Sequence, residues 1–560
     1  MTNKKILLGL LPYWTPLIPP QGIASLKVFL EKHGFKVKTV DANVENAFKA
    51  IYDSYFFTLK KIIPESHWGN FYNIGHDVLR NHMMACFNRT DDKEYHELVR
   101  ILVYNTFFWN LNSQQVNQLS GYIDRFYGEL ERYFIHLLET EKPDVVGLAA
   151  HLGTLAASMF AFRLTKERYP GILTAAGGSI FAGELPMQSP DFAFLLEKAP
   201  YIDKVIIGQG EQLLLKLLED QLYPSQRVYT MKDIGNASLD VSTLDLPDLS
   251  DFSVQSYPYV AASGSRSCPF QCRFCNVSGF FGPYQEKSVK QTADQMIELY
   301  NRHGNQLFFM TDSLLNPIMT HLANELIKRE VSLYMDTYMR VSDEVCDRET
   351  ALLWRRGGLY RVRMGIESGS QRILDLMGKE ITVEQSKAAI SSLAHAGIKT
   401  TVYLVVGYPG ETEEDFQQTS DFIEEMRDHI WQVECNPFYY FYTGQHNADR
   451  WAGKRRLLYP DEARHLLVCQ TWIVDQEPSR EERFSRIFKI TEHCKKLGIP
   501  NPYSSQEIYE ADERWKQLHE NAVPSLMEFQ NSAVYIDESK SIKKLILAQE
   551  AHQDDGDFSF

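Results

Sequence analysis

The chain has 560 residues, of which 44% are hydrophobic, and a formal net charge of -15 at pH 7. That length allows about three to four domains with ample apolar residues for their cores, and the acidic balance excludes a nucleic-acid surface as the main partner. Eight cysteines are too sparse for a disulfide framework, and no apolar run reaches the roughly 18 residues that span a bilayer, so a cytoplasmic protein without a membrane span is expected.

In chain order, KKILLGLLP reads as a buried strand running directly from the first residues, with no cleavable signal pattern. Pro19-Pro20-Gln21-Gly22, an amphipathic helix GIASLKVFLEKHG and a second strand KVKTVDAN follow, the opening of a doubly wound, Rossmann-like α/β sheet. From about Glu45 to about Thr140 the chain reads as helical and aromatic-rich, an insertion carrying Trp68, Phe71, Tyr72, Phe107, Phe108 and Trp109. The α/β rhythm resumes with PDVVGLAAHLGTLAAS, which gives a strand, a polar loop from His151 to Thr154, and a helix N-terminus suited to an oxygen-rich ligand. Gly177, Gly178 and Ser179 follow the next strand, and Gly208, Gly210 and Glu211 the one after, where glycine admits a bulky ligand close to the backbone. A generic dinucleotide-binding domain carries similar glycines, but no G-x-G-x-x-G opens a first helix. The expected divisions are an α/β domain at 1–225 with its insertion at about 45–140, a polar connector at 226–257, a second α/β unit at 258–445, and a mainly helical C-terminal region at 446–560.

The second unit opens on Cys268, Cys272 and Cys275 in SGSRSCPFQCRFCN, a C-x3-C-x2-C triad. Soft thiolates select zinc, copper(I) or iron-sulfur clusters, and closed structural sites recruit four ligands. The next cysteine is Cys346 and the next histidine His303, neither in a paired spacing. A zinc knot completed from a distance therefore competes with a cubane that keeps one iron open. Downstream, strands and helices alternate: Tyr259 to Ser263, LFFMTDSLLN, SLYMDTYMR, YRVRMGIESGS, TTVYLVVGYPGET and Val433 to Phe441 read as six strands of a partial parallel barrel. Asp312, Ser313, Asn316 and Arg340 fall at strand ends, where barrel sites gather. Thr412 and Glu413 are cap candidates for the helix after the fifth strand.

The triad with Phe274 before its third cysteine, the run G-I-E-S-G-S-Q-R-I-L at 365–374 and G-Y-P-G-E-T at 407–412 resemble the radical SAM superfamily. Upstream, P-P-Q-G after the first strand, the loop ending at Thr154, the GG turn and the G-Q-G-E turn resemble the cobalamin-binding domain that precedes many such barrels. The resemblance implies a (β/α)6 radical SAM barrel holding a 4Fe-4S cluster on Cys268, Cys272 and Cys275. It also implies S-adenosylmethionine beside Phe274, Asp312, Ser313, Arg340, Glu367 and Ser368, and cobalamin beside Thr154, Gly177, Gly178, Ser179, Gly208, Gly210 and Glu211. No D-x-H-x-x-G is present, and His151 is the one histidine in a plausible binding loop, so cobalamin bound without a protein histidine is expected.

With no conventional acid, base or nucleophile motif, chemistry falls to the cofactors. The resemblance implies a methyltransferase that acts on an unactivated carbon of a small-molecule or carrier-bound substrate, through a 5'-deoxyadenosyl radical and methylcobalamin, with an external electron donor such as flavodoxin or ferredoxin. A cobalamin-dependent cyclase or rearranging enzyme, and a non-catalytic cobalamin sensor with a structural cluster, are the alternatives.

Overall fold

The computed structural model describes residues 4–236, 239–442, 448–500 and 505–530. Two six-stranded sheets, each wholly parallel, carry it. The first comprises β1 (Lys5–Leu10), β2 (Lys36–Asp41), β3 (Val145–Ala149), β4 (Leu173–Gly177), β5 (Lys204–Ile207) and β6 (Val228–Thr230), in the spatial order β2-β1-β3-β4-β5-β6. Its strands are nearly continuous apolar runs because helices cover both faces. On one face α1 (Gln21–Lys32) and a later helix, Gly210–Leu218, bury Ile23, Leu30, Leu213 and Leu217 against Ile6, Leu8 and Leu10. On the other, Leu155–Arg168 packs Ala157, Met159 and Phe162 with Leu7, Val146 and Leu148. The order reverses between β1 and β3, which opens a crevice at the carboxyl ends of those strands.

Between β2 and β3 run four helices: α2 (Asn46–Ile62), α3 (Phe71–Phe87), α4 (Asp92–Phe107) and α5 (Ser113–Glu141). The last is 29 residues long and starts at a capping box between Asn112 and Gln115. The aromatics noted in this segment serve packing: Phe71, Tyr72 and Phe107 are buried in the same core as the sheet, and Trp68, Phe108 and Trp109 pack against it.

The second sheet is built from β7 (Val260–Ala262), β10 (Leu307–Met310), β11 (Tyr334–Met339), β12 (Leu359–Glu367), β13 (Lys399–Val406) and β14 (Gln432–Pro437), which neighbour one another in that order. This is the partial (β/α)6 barrel. Between its first two strands, β8 (Ser265–Arg266) pairs antiparallel with β9 (Gln285–Glu286) and brackets the cysteine loop. Strand alternation sends Val362, Met364 and Ile366 of β12 into the core under the helices and turns Arg361, Arg363, Gly365 and Glu367 to the inner side. There Arg363 forms a two-point bond with Asp336, at 2.8 and 2.9 Å, and Arg361 donates to Thr401 and Gln432. Every inward charge of this floor is thus hydrogen-bonded, as burial requires.

Two features lie outside the sequence reading. Strand β6 falls inside the segment expected to be a connector, since the three residues VYT carry too little alternation to be read as a strand. The C-terminal region is not helical throughout: β15 (Arg455–Leu457) and β16 (Trp472–Val474) form a two-stranded antiparallel ribbon ahead of the helices Arg480–Lys496, Ser505–Leu518 and Leu526–Gln530. No described helix is long and apolar enough to cross a membrane.

Candidate active site at the facing carboxyl ends

The cysteine loop is anchored at both ends before any ligand is considered. At its start, the buried Asp312 carboxylate accepts from Gly264 N at 3.0 Å and from the Ser265 hydroxyl at 2.6 Å, and burial raises its pKa to about 6. At its far end, Arg273 N donates to Met377 O at 2.9 Å and Arg273 Nη1 to Leu376 O at 2.9 Å, stitching the loop to the end of the helix Gln371–Met377. Phe274 packs with the cluster of Ile373, Met377 and Tyr408.

Between these anchors Cys272 is buried and Cys268 and Cys275 are half-buried. Cys275 lies within electrostatic reach of both other thiols, and burial raises it and Cys268 above the ordinary thiol range. Arg340 Nη1 donates to Cys272 Sγ at 3.3 Å, with its guanidinium 4.0 Å from the Phe270 ring centroid. Asn316 holds Arg340 by its backbone, accepting from its N–H and donating to its C=O, each at 2.8 Å. Among the described residues, no three His, Cys, Asp or Glu side chains converge to hold a single metal ion. Three thiols beside a guanidinium form a donor set that fits an anionic iron-sulfur cluster.

Glu367 ends β12 with φ at +69°, after a register shift between Gly365 and Glu367. Its Oε1 accepts from Lys379 Nζ at 2.7 Å, and both side chains are 8% exposed. The rest of the G-x-E-S-G-S-x-R word knits turns. The Ser368 hydroxyl pairs with Thr419 at 3.1 Å and receives Ser370 N. Asp415 accepts from Ser370 and Arg372, while Arg372 also reaches Gly410 O. The hydroxyl of Ser368 is therefore committed to the fold, as is the carboxylate of Asp312. Ser313 sits half-buried one residue further along the chain.

At the first sheet, the loops after β3 and β4 meet. His151 Nδ1 bonds the Ser179 hydroxyl at 2.6 Å, burial lowers its pKa to about 4, and its neutral ring stacks on Trp14 with centroids 4.6 Å apart. The Thr154 hydroxyl closes its own loop, accepting from His151 N at 2.9 Å. Glycine at 178 is demanded by the backbone, since φ is +118° and a Cβ would stand 2.3 Å from Ala150 O. Gly208, at φ +112°, lies against Met231, and Gly210 against Leu26 of α1. Gly177 and Glu211 lie at the same carboxyl edge, with Glu211 in the first turn of its helix. Trp14, 48% exposed, had no sequence signal beyond its place after the first strand.

The two carboxyl edges face each other. Thr311, just past β10, donates to Gln21 Oε1 of α1 at 3.0 Å, and Tyr257 donates to the buried Asp41 at 2.8 Å. A Cβ built on Gly183, in the loop after β4, would lie 3.8 Å from Asn276 Nδ2, the side chain next to Cys275. The cysteine loop and the first sheet's crevice loops are in contact.

Residues 263–423 match the sequence profile of the Radical SAM superfamily. Among curated proteins, the anaerobic magnesium-protoporphyrin IX monomethyl ester cyclase of Rubrivivax gelatinosus is 29% identical over 307 residues, 50% of this chain and 54% of that protein. An uncharacterised methyltransferase of Pyrococcus horikoshii is 26% identical over 309 residues, 51% of this chain and 64% of that protein. The chain thus spans about half the length of the first curated relatives it matches, 54% and 53% of two of them. Its whole architecture is similar to that of the radical S-adenosylmethionine methyltransferase TsrM from Kitasatospora setae, solved with tryptophan substrate and a SAM analogue. The TM-score is 0.59 at 13% identity, covering 98% of this chain and all of that one. That likeness is one of fold.

Proposed function

We propose that the protein is a cobalamin-dependent radical SAM methyltransferase, which methylates an unactivated carbon of a small molecule or biosynthetic intermediate. The observation that supports this reading is the apposition of the cysteine loop at Asn276 with the crevice loop at Gly183, by which a cluster and a ligand of the switch-point crevice would share one chamber. Cys268, Cys272 and Cys275 would hold a 4Fe-4S cluster with one open iron; Glu367 and Arg340 face the place where S-adenosylmethionine would sit; Trp14, His151 and the Gly177 to Ser179 turn line the place for cobalamin. When bound, these groups supply the radical and carry the methyl group. The chain's own part is to orient and to exclude water: Arg340 fixes Cys272, Lys379 fixes Glu367, and the first sheet's loops close the barrel mouth. His151, tied to Ser179 and stacked on Trp14, is read as a crevice wall and not as a cobalt ligand. An external electron donor such as flavodoxin or ferredoxin is part of the proposal.

The test is an anaerobic assay of protein reconstituted with cluster, cobalamin, reductant and candidate substrate. Methionine and 5'-deoxyadenosine with a product heavier by one methyl are expected. The 29% identity to a cyclase favours ring closure as the second reading, and S-adenosylmethionine cleavage with an unchanged or dehydrogenated product mass would select it. No cleavage with any substrate would sink both. In the same assay the Cys268→Ala, Cys272→Ala, Cys275→Ala variant should lose cluster absorbance and keep cobalamin binding; a full cluster in that variant would refute the ligand assignment.

A further inference from the structure

Lys379 stands where neither the triad nor the strand-end motif leads. It follows Gly378, which ends the helix Gln371–Met377 in the left-handed conformation at φ +60°, and its N–H returns to Leu374 O at 3.0 Å. That same helix end is bonded to the cysteine loop through Arg273, whose side chain lies 3.3 Å from where a Cβ of Gly378 would be. Lys379 therefore cannot shift relative to the cysteines without breaking the stitch. Its side chain crosses the Phe274 ring at 5.7 Å and ends on Glu367 Oε1 at 2.7 Å. It is 7% exposed, and its ammonium is in electrostatic reach of both Cys268 and Cys275. Space for the pair is reserved: a Cβ at Gly365 would stand 2.1 Å from Glu367 Oε1 and 2.8 Å from Lys379 Nζ.

A buried ammonium between a carboxylate and a set of thiolates has two effects. It holds the carboxylate in one orientation, and it favours the more negative redox state of whatever the thiolates carry. Arg340 supplies a second cation on Cys272, and among the described residues it bonds no carboxylate. We infer that Lys379 is a positioning residue that fixes Glu367 toward the open coordination position and raises the reduction potential of the cluster. The inference rests on the cluster reading above.

The test uses full-length protein reconstituted anaerobically with iron and sulfide, its cluster quantified by iron content and absorbance. Reduction is followed by electron paramagnetic resonance across a potentiometric titration, and S-adenosylmethionine binding by equilibrium dialysis. Lys379→Gln should retain the cluster, disfavour its reduction about tenfold, equivalent to about 59 mV for a one-electron couple, and weaken S-adenosylmethionine binding about tenfold. Glu367→Gln, which removes a negative charge from the same place, should move the potential the opposite way, whereas a merely structural role moves neither. Lys379→Arg, which keeps the charge, should recover most of both losses. An intact cluster in Lys379→Gln with wild-type potential and wild-type affinity would overturn the inference and leave the cluster reading standing. Should Lys379→Gln hold no cluster, Lys379→Arg and Glu367→Gln decide: a near-wild-type potential in the first with an upward shift in the second supports the role, and an unshifted Glu367→Gln overturns it. Wild-type protein that takes up no cluster overturns both readings together.

Discussion

Gly365 is the residue on which the Glu367 to Lys379 pair depends, because its missing Cβ is the volume the carboxylate and ammonium occupy. Glu367 itself adopts a φ of +69°, a region that costs a branched or bulky residue dearly and that persists where surrounding bonds over-determine it. Gly365→Ala should therefore destabilise the fold by about 2 kcal/mol, an overpacking cost, and weaken S-adenosylmethionine binding even in the folded fraction. Thermal melts and equilibrium dialysis measure the two separately. An unchanged affinity in a folded, cluster-loaded Gly365→Ala variant would mean that the reserved space has no bearing on the site. Glu367 was legible in the sequence because it lies in a distinctive word, as were the cysteines. Lys379 was not, because a lysine after a helix-ending glycine is an ordinary cation at the negative end of the helix dipole. Its return to the barrel is imposed by Arg273, a contact between segments more than a hundred residues apart.

At the scale of elements, the turn after β13 depends on one carboxylate. Asp415 accepts from Ser370 at 2.6 Å, from Thr412 N at 2.8 Å and its hydroxyl at 2.6 Å, and from Arg372. It thereby closes the capping box of the helix Glu413–Glu425 and ties the turns after β12 and β13 together. The sequence offered Thr412 and Glu413 as caps; Thr412 is the N-cap, and its partner is Asp415, three residues on. Against the opposing effect of burial, the bonds from Arg372, Ser370 and Thr412 hold Asp415 well below the ordinary carboxylate range. A depressed carboxylate contributes stability that is present above its unfolded pKa of about 3.9 and lost as pH falls toward its folded value. Asp415→Asn should then cost about 2 kcal/mol near pH 7, since it weakens the bonds that the buried carboxylate accepts from Ser370, Thr412 and the half-exposed Arg372, and the gap to wild type should shrink as pH drops below about 4. Urea denaturation at both pH values reads this directly, and a gap independent of pH would show that the charge is not what stabilises the turn. Long periodic elements such as the two sheets were readable because alternation and flanking glycines repeat. Strand β6 and the β15 to β16 ribbon were not, since three residues each give no period to read and, unlike the equally short β7, none of them leads into a motif that marks its place.

The whole molecule solves a problem that neither sheet solves alone. A six-stranded barrel leaves two edges, β7 and β14, with backbone groups that would otherwise pair with solvent or another chain. Both are met by the first half of the chain. Tyr259 N, at the start of β7, donates to Leu17 O at 3.2 Å, and Asn70 Nδ2 donates to Cys435 O of β14 at 3.1 Å. Asn73, one turn along α3, reaches the inward-facing Glu434 at 3.1 Å. Ala24 of α1 belongs to the barrel core, and Tyr459, Leu466 and Phe484 of the C-terminal region belong to the core of the insertion. The helical insertion is thus a side wall of the barrel as well as a packed bundle. Under the proposed function the chamber must exclude water and stray hydrogen donors, so a loosened wall should uncouple cleavage from product formation before it unfolds anything. Asn73→Ala removes a half-buried polar contact, for which the stability cost is about 1 kcal/mol. In that variant the ratio of 5'-deoxyadenosine to methylated product should rise severalfold while cluster content stays at the wild-type level. Quantifying both products from one anaerobic reaction tests this; a ratio equal to wild type would mean that α3 covers the strand edge without sealing the chamber.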